Sequence, residues 1–195
     1  MLRELRPSLR MLLVLTLVTG IVYPLLVTGL ARLAFPRQAG GSLVVARGRV
    51  LGSSLIGQSF ADPGRFWSRP SATSVPYDPS NSTGSNLGPT NPALLKAISD
   101  RVAELHAADP GNRLPIPADL VTSSASGLDP DISPAAAEYQ VARVARVRGL
   151  DTLRVRALVA QCIEPRTFGV LGEPRVNVLA LDRALDQLTR NGGTR

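Results

Sequence analysis

Apolar positions form one unbroken block and then a series of short periodic runs. The block spans residues 11–31, 21 positions without a charge, closed by Arg10 and Arg32. As a helix rising about 1.5 Å per residue it is roughly 31 Å long, which matches the ~30 Å hydrocarbon layer of a bilayer. Its seven Leu, four Val and one Ile each favour insertion by roughly 0.3–0.6 kcal/mol, enough to outweigh Pro24 and the scattered Thr. The pattern predicts an uncleaved transmembrane helix over 11–34, after a short basic head at 1–10. A cleaved leader fits less well, because its apolar core is usually about 7–15 residues and a convincing small-x-small site followed by a mature start is missing. Thr16, Gly20, Pro24 and Thr28 recur every four residues along one helix face. Small side chains there let a partner helix come close.

Beyond Pro36 the periods shorten. Residues 42–60 carry the apolar runs Leu43-Val44-Val45, Val50-Leu51 and Leu55-Ile56, separated by Gly48 and Gly52, and predict β structure. Residues 62–92 are different: 18 of 31 are Pro, Gly, Ser or Asn, so no long helix or strand fits. Yet Phe60, Phe66, Trp67 and Tyr77, four of the chain's eight aromatics, crowd into 18 positions. Disordered segments are poor in such residues, so this is expected to be an ordered surface loop with Phe66, Trp67 and Tyr77 as its anchors.

Asn91-Pro92 and Ser133-Pro134 are helix starts, the first leading into Leu94, Ile98, Val102 and Leu105. The second helix should close at Gly149. Asp151 caps a third, with Leu153, Leu158, Val159 and Cys162 as its inner positions. Residues 119–122 suggest a short strand. Residues 176–181 suggest a strand, or a strand running straight into a last helix with Ala184, Leu185 and Leu188. The fold class is α+β: one transmembrane helix, a single compact soluble domain over 36–190, and a flexible tail at 191–195.

Charge changes the picture little. The net +7 comes from 21 Arg and one Lys against 15 acids. The arginines are spread along the chain and no basic cluster is interleaved with aromatics, which argues against nucleic acid. Arg3, Arg6, Arg10, Arg32, Arg37, Arg47 and Arg49 flank the span, where anionic lipid accounts for them. One Cys and one His, Cys162 and His106, leave no intramolecular disulfide and no Cys/His metal site. No phosphate-binding loop or nucleophile elbow occurs and no carboxylate pair stands out, which points to a binding or assembly module rather than an enzyme.

Two stretches nevertheless concentrate special residues. One runs through Arg69-Pro70-Ser71-Ala72, Tyr77-Asp78-Pro79 and Gly84-Ser85-Asn86-Leu87 to Asn91-Pro92. The other spans residues 121–134, with Ser123-Ser124-Ala125-Ser126-Gly127-Leu128-Asp129 at its centre, and runs into the 134 helix and Gln140. Small hydroxyl residues and Gly before a helix suit either an anion-binding surface or an elaborate cap.

Together with Tyr23-Pro24-Leu25 and Gly172-Glu173-Pro174-Arg175-Val176-Asn177-Val178, these stretches closely resemble the small C subunit of the bacterial Kdp potassium-transporting P-type ATPase, in order along nearly the whole chain. The resemblance implies a non-catalytic subunit of a four-part complex in the bacterial inner membrane, with the domain extracytoplasmic. Its partners would be the catalytic subunit that carries the phosphorylated Asp, a channel-like potassium-selecting subunit and a small membrane peptide. It also implies a catalytic chaperone that raises ATP affinity, with ATP met through the complex and potassium as the transported ion. Gln140 matches a family glutamine proposed to contact nucleotide, with Ser124, Ser126, Gly127 and Asp129 beside it. The competing classes are an anchored adaptor or solute-binding module not tied to a pump, and an anchored hydrolase using Ser124 or Ser126.

Overall fold

Position 24 shapes the first helix. The computed structural model describes residues 2–46 and 48–192 and divides into two compact units, Met1–Leu51 and Gly52–Arg195. In the first, α1 (Leu2–Leu17) passes through a π-helical turn (Val18–Val22) into α2 (Tyr23–Ala34). Proline has no N–H to donate, and its ring clashes with the carbonyl four residues back. The backbone widens just before it: the Tyr23 N–H donates to Val18 O, five residues earlier, as π-bulges do. Within Arg3–Ala34 an 18-residue window reaches a mean hydropathy of 2.3 and none of it is buried, long and apolar enough to cross a bilayer. Thr16, Gly20, Pro24 and Thr28 are all exposed. The short helix α3 (Pro36–Ala39) and the hairpin β1 (Leu43–Ala46) and β2 (Arg49–Ser53) follow. The β structure expected over 42–60 therefore stops at Ser53. The Ile56 N–H turns back to Ser53 O, and the Gly57 N–H donates to Leu128 O at 2.8 Å. Arg47 lies outside the described residues.

The second unit contains α4 (Pro92–Ala108), β3 (Asp131–Ile132), α5 (Pro134–Arg148), α6 (Thr152–Gln161), β4 (Ile163–Glu164), β5 (Arg175–Asn177) and α7 (Val178–Gly192). The side-chain caps sit at the expected starts. Asn91 accepts from the Ala93 N–H at 2.9 Å, Ser133 from Ala136 at 3.0 Å and Asp151 from Leu153 at 3.0 Å. Each is worth ~1 kcal/mol. Gly149 ends α5 at φ 64°, the left-handed conformation that a side chain resists.

The small antiparallel sheet has the order β3-β5-β4, with Ile132 and Ile163 both opposite Val176. Leu105, Leu120, Ile132, Val144, Val155, Val176, Leu181 and Leu185 are buried together, and each such side chain contributes roughly 1.5–3 kcal/mol.

Two expectations need correcting. Residues 119–122 are not a strand: Ala118–Leu120 is a 3₁₀ turn. Asp119 is occupied there, its carboxylate accepting from the Ser133 N–H at 2.7 Å and from the Ser133 hydroxyl at 3.2 Å. In α6 Val155 and Val159 are buried one turn apart and Leu158 and Cys162 pack half-buried against the core, while Leu153 is exposed. At 176–181 the second of the two expected alternatives holds: β5 runs straight into α7, where the Asn177 side chain accepts from the Ala180 N–H and caps the helix. That helix continues through Gly192, and positions 193–195 of the expected tail lie outside the described residues.

Candidate functional site

Spacing of three along α5 places Gln140 and Arg143 on one face, and that face is closed over by residues 62–70. Gln140 is fully buried. Its Oε1 accepts from the Trp67 N–H at 2.7 Å and from Arg143 Nη2 at 2.6 Å; its Nε2 donates to Trp67 O at 3.1 Å and to Ala136 O at 3.2 Å. An amide side chain has two acceptor sites and two donors, so its capacity is used up. The glutamine pairs with the backbone of Trp67 as a neighbouring strand would.

Arg143 completes the clamp. Its Nη1 donates to Pro63 O and to Arg65 O, and its guanidinium lies 4.5 Å from the Trp67 ring centroid. Arg101, from α4, sits 5.1 Å from the same ring and donates to Leu120 O and Ser68 O. Trp67 is thus held by two cations through its π-face, while its Nε1 donates to Asp62 O at 3.0 Å. Burial pushes the Arg143 guanidinium down to about 10, so it is still a cation at neutral pH. Phe66 is buried beside it, and its N–H donates to Asp182 Oδ1 at 3.0 Å.

The second special stretch is stitched to the first. Arg69 Nη1 donates to Asp129 Oδ2 at 3.0 Å, the Ser71 hydroxyl to Gly127 O at 2.7 Å, the Thr83 N–H to Ser126 O at 3.0 Å and the Ser82 hydroxyl to Ser126 O at 3.0 Å. Tyr77 is buried, with its hydroxyl donating to Arg69 O. Gly127 adopts φ 68°, and a Cβ there would lie 2.6 Å from Thr83 O, so no larger residue fits without moving the loop. The Ser124 hydroxyl accepts from the Gly127 N–H and the Ser126 hydroxyl from the Leu128 N–H. They shape a turn, as short hydroxyl side chains do. Ser124, Ser126, Gly127 and Asp129 therefore come together with residues 69–84, whereas Gln140 stands apart, under residues 62–68.

Two charged residues of this site were not singled out by sequence. Arg143 and Asp182 both lie on apolar helix stripes, Asp182 among Val178, Leu181 and Leu185, and a charge at such a position is the available signal. Asp182 Oδ2 has no hydrogen-bond donor among the described residues, and Arg65 reaches it only at 3.8 Å. Burial raises its carboxyl from 3.8 to about 7. Below pH 4 the group is protonated in both folded and unfolded chains. Between there and about pH 7 only the folded chain keeps the proton, so stability is lost as pH rises through that window, by at most ~1.4 kcal/mol per unit. Denaturant titrations at pH 5 and pH 8 should show this loss, and Asp182→Asn should flatten it.

Beside α4 a cleft of about 630 Å³ is lined by Phe60, Arg69, Pro70, Leu87, Leu94 and Arg101 among others, and Gln140 does not line it.

A family model described as "K+-transporting ATPase, c chain" (KdpC) matches residues 5–187. Similar proteins named Potassium-transporting ATPase KdpC subunit include one from Polaromonas naphthalenivorans, 63% identical over 185 residues, which cover 94% of each chain. One from Dechloromonas aromatica is 60% identical over 187 residues, covering 95% of this chain and 98% of its own. A third, from Methylococcus capsulatus, is 61% identical over 189 residues, covering 96% of this chain and 100% of its own. A match in order from the anchor through α7 means that the chain belongs to the KdpC family, the c chain of K+-transporting ATPases.

Proposed function

We propose that the chain is a membrane-anchored accessory subunit of a potassium-transporting ATPase, and that it acts by docking rather than by chemistry of its own. The observation that carries this is the state of Gln140: with all four hydrogen-bonding positions of its amide filled, the signature glutamine builds the domain and has nothing left to offer a nucleotide. The Ser124 and Ser126 hydroxyls are bonded to backbone N–H groups and to each other, which supports a structural turn over a hydrolase nucleophile. The family match speaks against an adaptor unconnected with a pump.

The partners are then the subunit that hydrolyses ATP, a channel-like potassium-selecting subunit and a small membrane peptide, with potassium as the transported ion. The Thr16, Gly20, Pro24 and Thr28 face is the docking face of the anchor. A Cβ at Gly20 meets nothing within 4 Å, so Gly20→Leu leaves the isolated helix undisturbed and should reduce recovery of the complex while membrane insertion persists. Unchanged recovery would remove this face from the interface.

Charge does not decide sidedness: Arg3, Arg6 and Arg10 on one side balance Arg32, Arg37, Arg47 and Arg49 on the other. A long following domain translocates largely regardless of charge, and the resemblance to the Kdp C subunit favours export of this one. The domain is therefore extracytoplasmic, over the mouth of the potassium-selecting subunit, and ATP is reached only through the complex. Any rise in ATP affinity passes through a conformational equilibrium of the pump, as a coupling free energy. A Ser85→Cys variant in a Cys162→Ser background should react with an impermeant maleimide in cells whose outer barrier alone is opened. Reaction only after the inner membrane is broken would reverse the topology and restore direct contact with ATP.

A further inference from the structure

We propose that the β1–β2 hairpin lies in the headgroup layer of an anionic bilayer, with Leu43, Val45 and Val50 against lipid and Arg37 and Arg49 against phosphate. Leu43, Val45 and Val50 are 51%, 54% and 60% exposed, and Leu43 and Val45, two apart, share one face of the strand. A two-stranded sheet is marginal in water on its own, and an open apolar strand is an aggregation hazard, so this face requires cover.

The position of the hairpin indicates what covers it. It begins nine residues after Ala34, the end of α2, and residues through Leu51 belong to the same compact unit as the anchor. Phe35, at the end of the span, is 61% exposed. The chain then turns sharply through α3, where the Ser42 N–H donates to Arg37 O at 2.9 Å. From position 32 to 51 the sequence has four Arg and no acid, and neither Arg37 nor Arg49 forms an ion pair with a described residue. Apolar side chains interleaved with unopposed cations, held next to a span, match the chemistry of an anionic interface. A protein groove would need acids placed to meet them.

The proposal rests on the membrane reading of α1 and α2, and the test separates the two. Full-length chain carrying Cys162→Ser is spin-labelled singly at Leu15→Cys, Val45→Cys, Val50→Cys or Ser99→Cys. Each is placed in vesicles of three parts phosphatidylcholine to one part phosphatidylglycerol. Collisions with oxygen, which enters lipid, are compared with collisions with a water-soluble nickel chelate. The labels at 45 and 50 should meet the chelate at least about threefold less often than the label at 99, and oxygen more often, as interfacial residues do. Omitting phosphatidylglycerol should weaken that difference. Labels at 45 and 50 as open to the chelate as the one at 99 would overturn the proposal alone. So would shielding from both reagents that appears only in the assembled pump, which would make the cover a partner protein. A chelate-accessible label at 15 would overturn the anchor as well.

Discussion

Gln140→Ala should lower the unfolding free energy of the domain that follows the anchor by ~3–5 kcal/mol. The truncation leaves three groups without partners inside the protein: the N–H and C=O of Trp67, and one edge of the Arg143 guanidinium. Each buried group left unsatisfied costs ~1–3 kcal/mol, more where a charge is involved. Water cannot enter without opening residues 62–70, so the loop should loosen before the helices do. Denaturant unfolding of the full chain measures the loss, and hydrogen exchange at the Trp67 amide locates it. Gln140→Glu should cost less, because a carboxylate still accepts from the Trp67 N–H and from Arg143 while losing both donated bonds. A nucleotide ligand would behave differently: Gln140→Ala would then raise the KM for ATP of the assembled pump while stability stayed at the wild-type value. That outcome would end the clamp assignment.

Trp67→Ala should destabilise the same domain by a similar amount, ~3–5 kcal/mol for a fully buried aromatic. Here the loss is of packing. The ring is 4% exposed, lies between the guanidinium groups of Arg143 and Arg101 and holds Asp62 O through its indole N–H. Without it Arg143 keeps its carbonyl acceptors and loses the π-face that helps offset its burial. Trp67→Phe should recover part of the stability, since it restores a ring but not the bond to Asp62 O. The Trp67→Ala and Gln140→Ala effects should fall well short of additive, because both release one loop. Wild-type stability for Trp67→Ala would mean that the loop is a solvated appendage.

What the sequence could express was local chemistry. Asn91-Pro92, Ser133-Pro134, Asp151 and Gly149 mark helix ends because a cap is satisfied within three residues, and the structure has a cap at each. The long apolar block needs only length and composition to be recognised as a span. Expectations failed where a distant partner decides. Residues 119–122 have strand-like composition, but the bond from Asp119 to Ser133 fixes a turn. Leu153 fits the apolar stripe of α6 as well as Val155 does, and only the packing of α6 separates them. The motif residues 123–129 and the aromatics at 66, 67 and 77 stand out by composition; residues 123–129 and Tyr77 are stitched into residues 69–84, while Phe66 and Trp67 are buried in the core. The placement of Gln140 was not legible, because its bonds run to backbone groups 73 positions away. Arg143 and Asp182 were hidden for the same reason: only the loop they hold explains a charge on an apolar stripe.

These features converge on a subunit whose signature residues hold a loop-rich domain in shape and whose exposed apolar helix carries it to a membrane partner. The most direct test is affinity purification of the tagged, full-length wild-type chain from its own membranes in mild detergent. The other subunits of the potassium-transporting ATPase should co-elute in constant ratio, with potassium-stimulated ATP hydrolysis in the same fractions. Recovery of the chain alone, with that activity intact in membranes lacking it, would contradict the assignment.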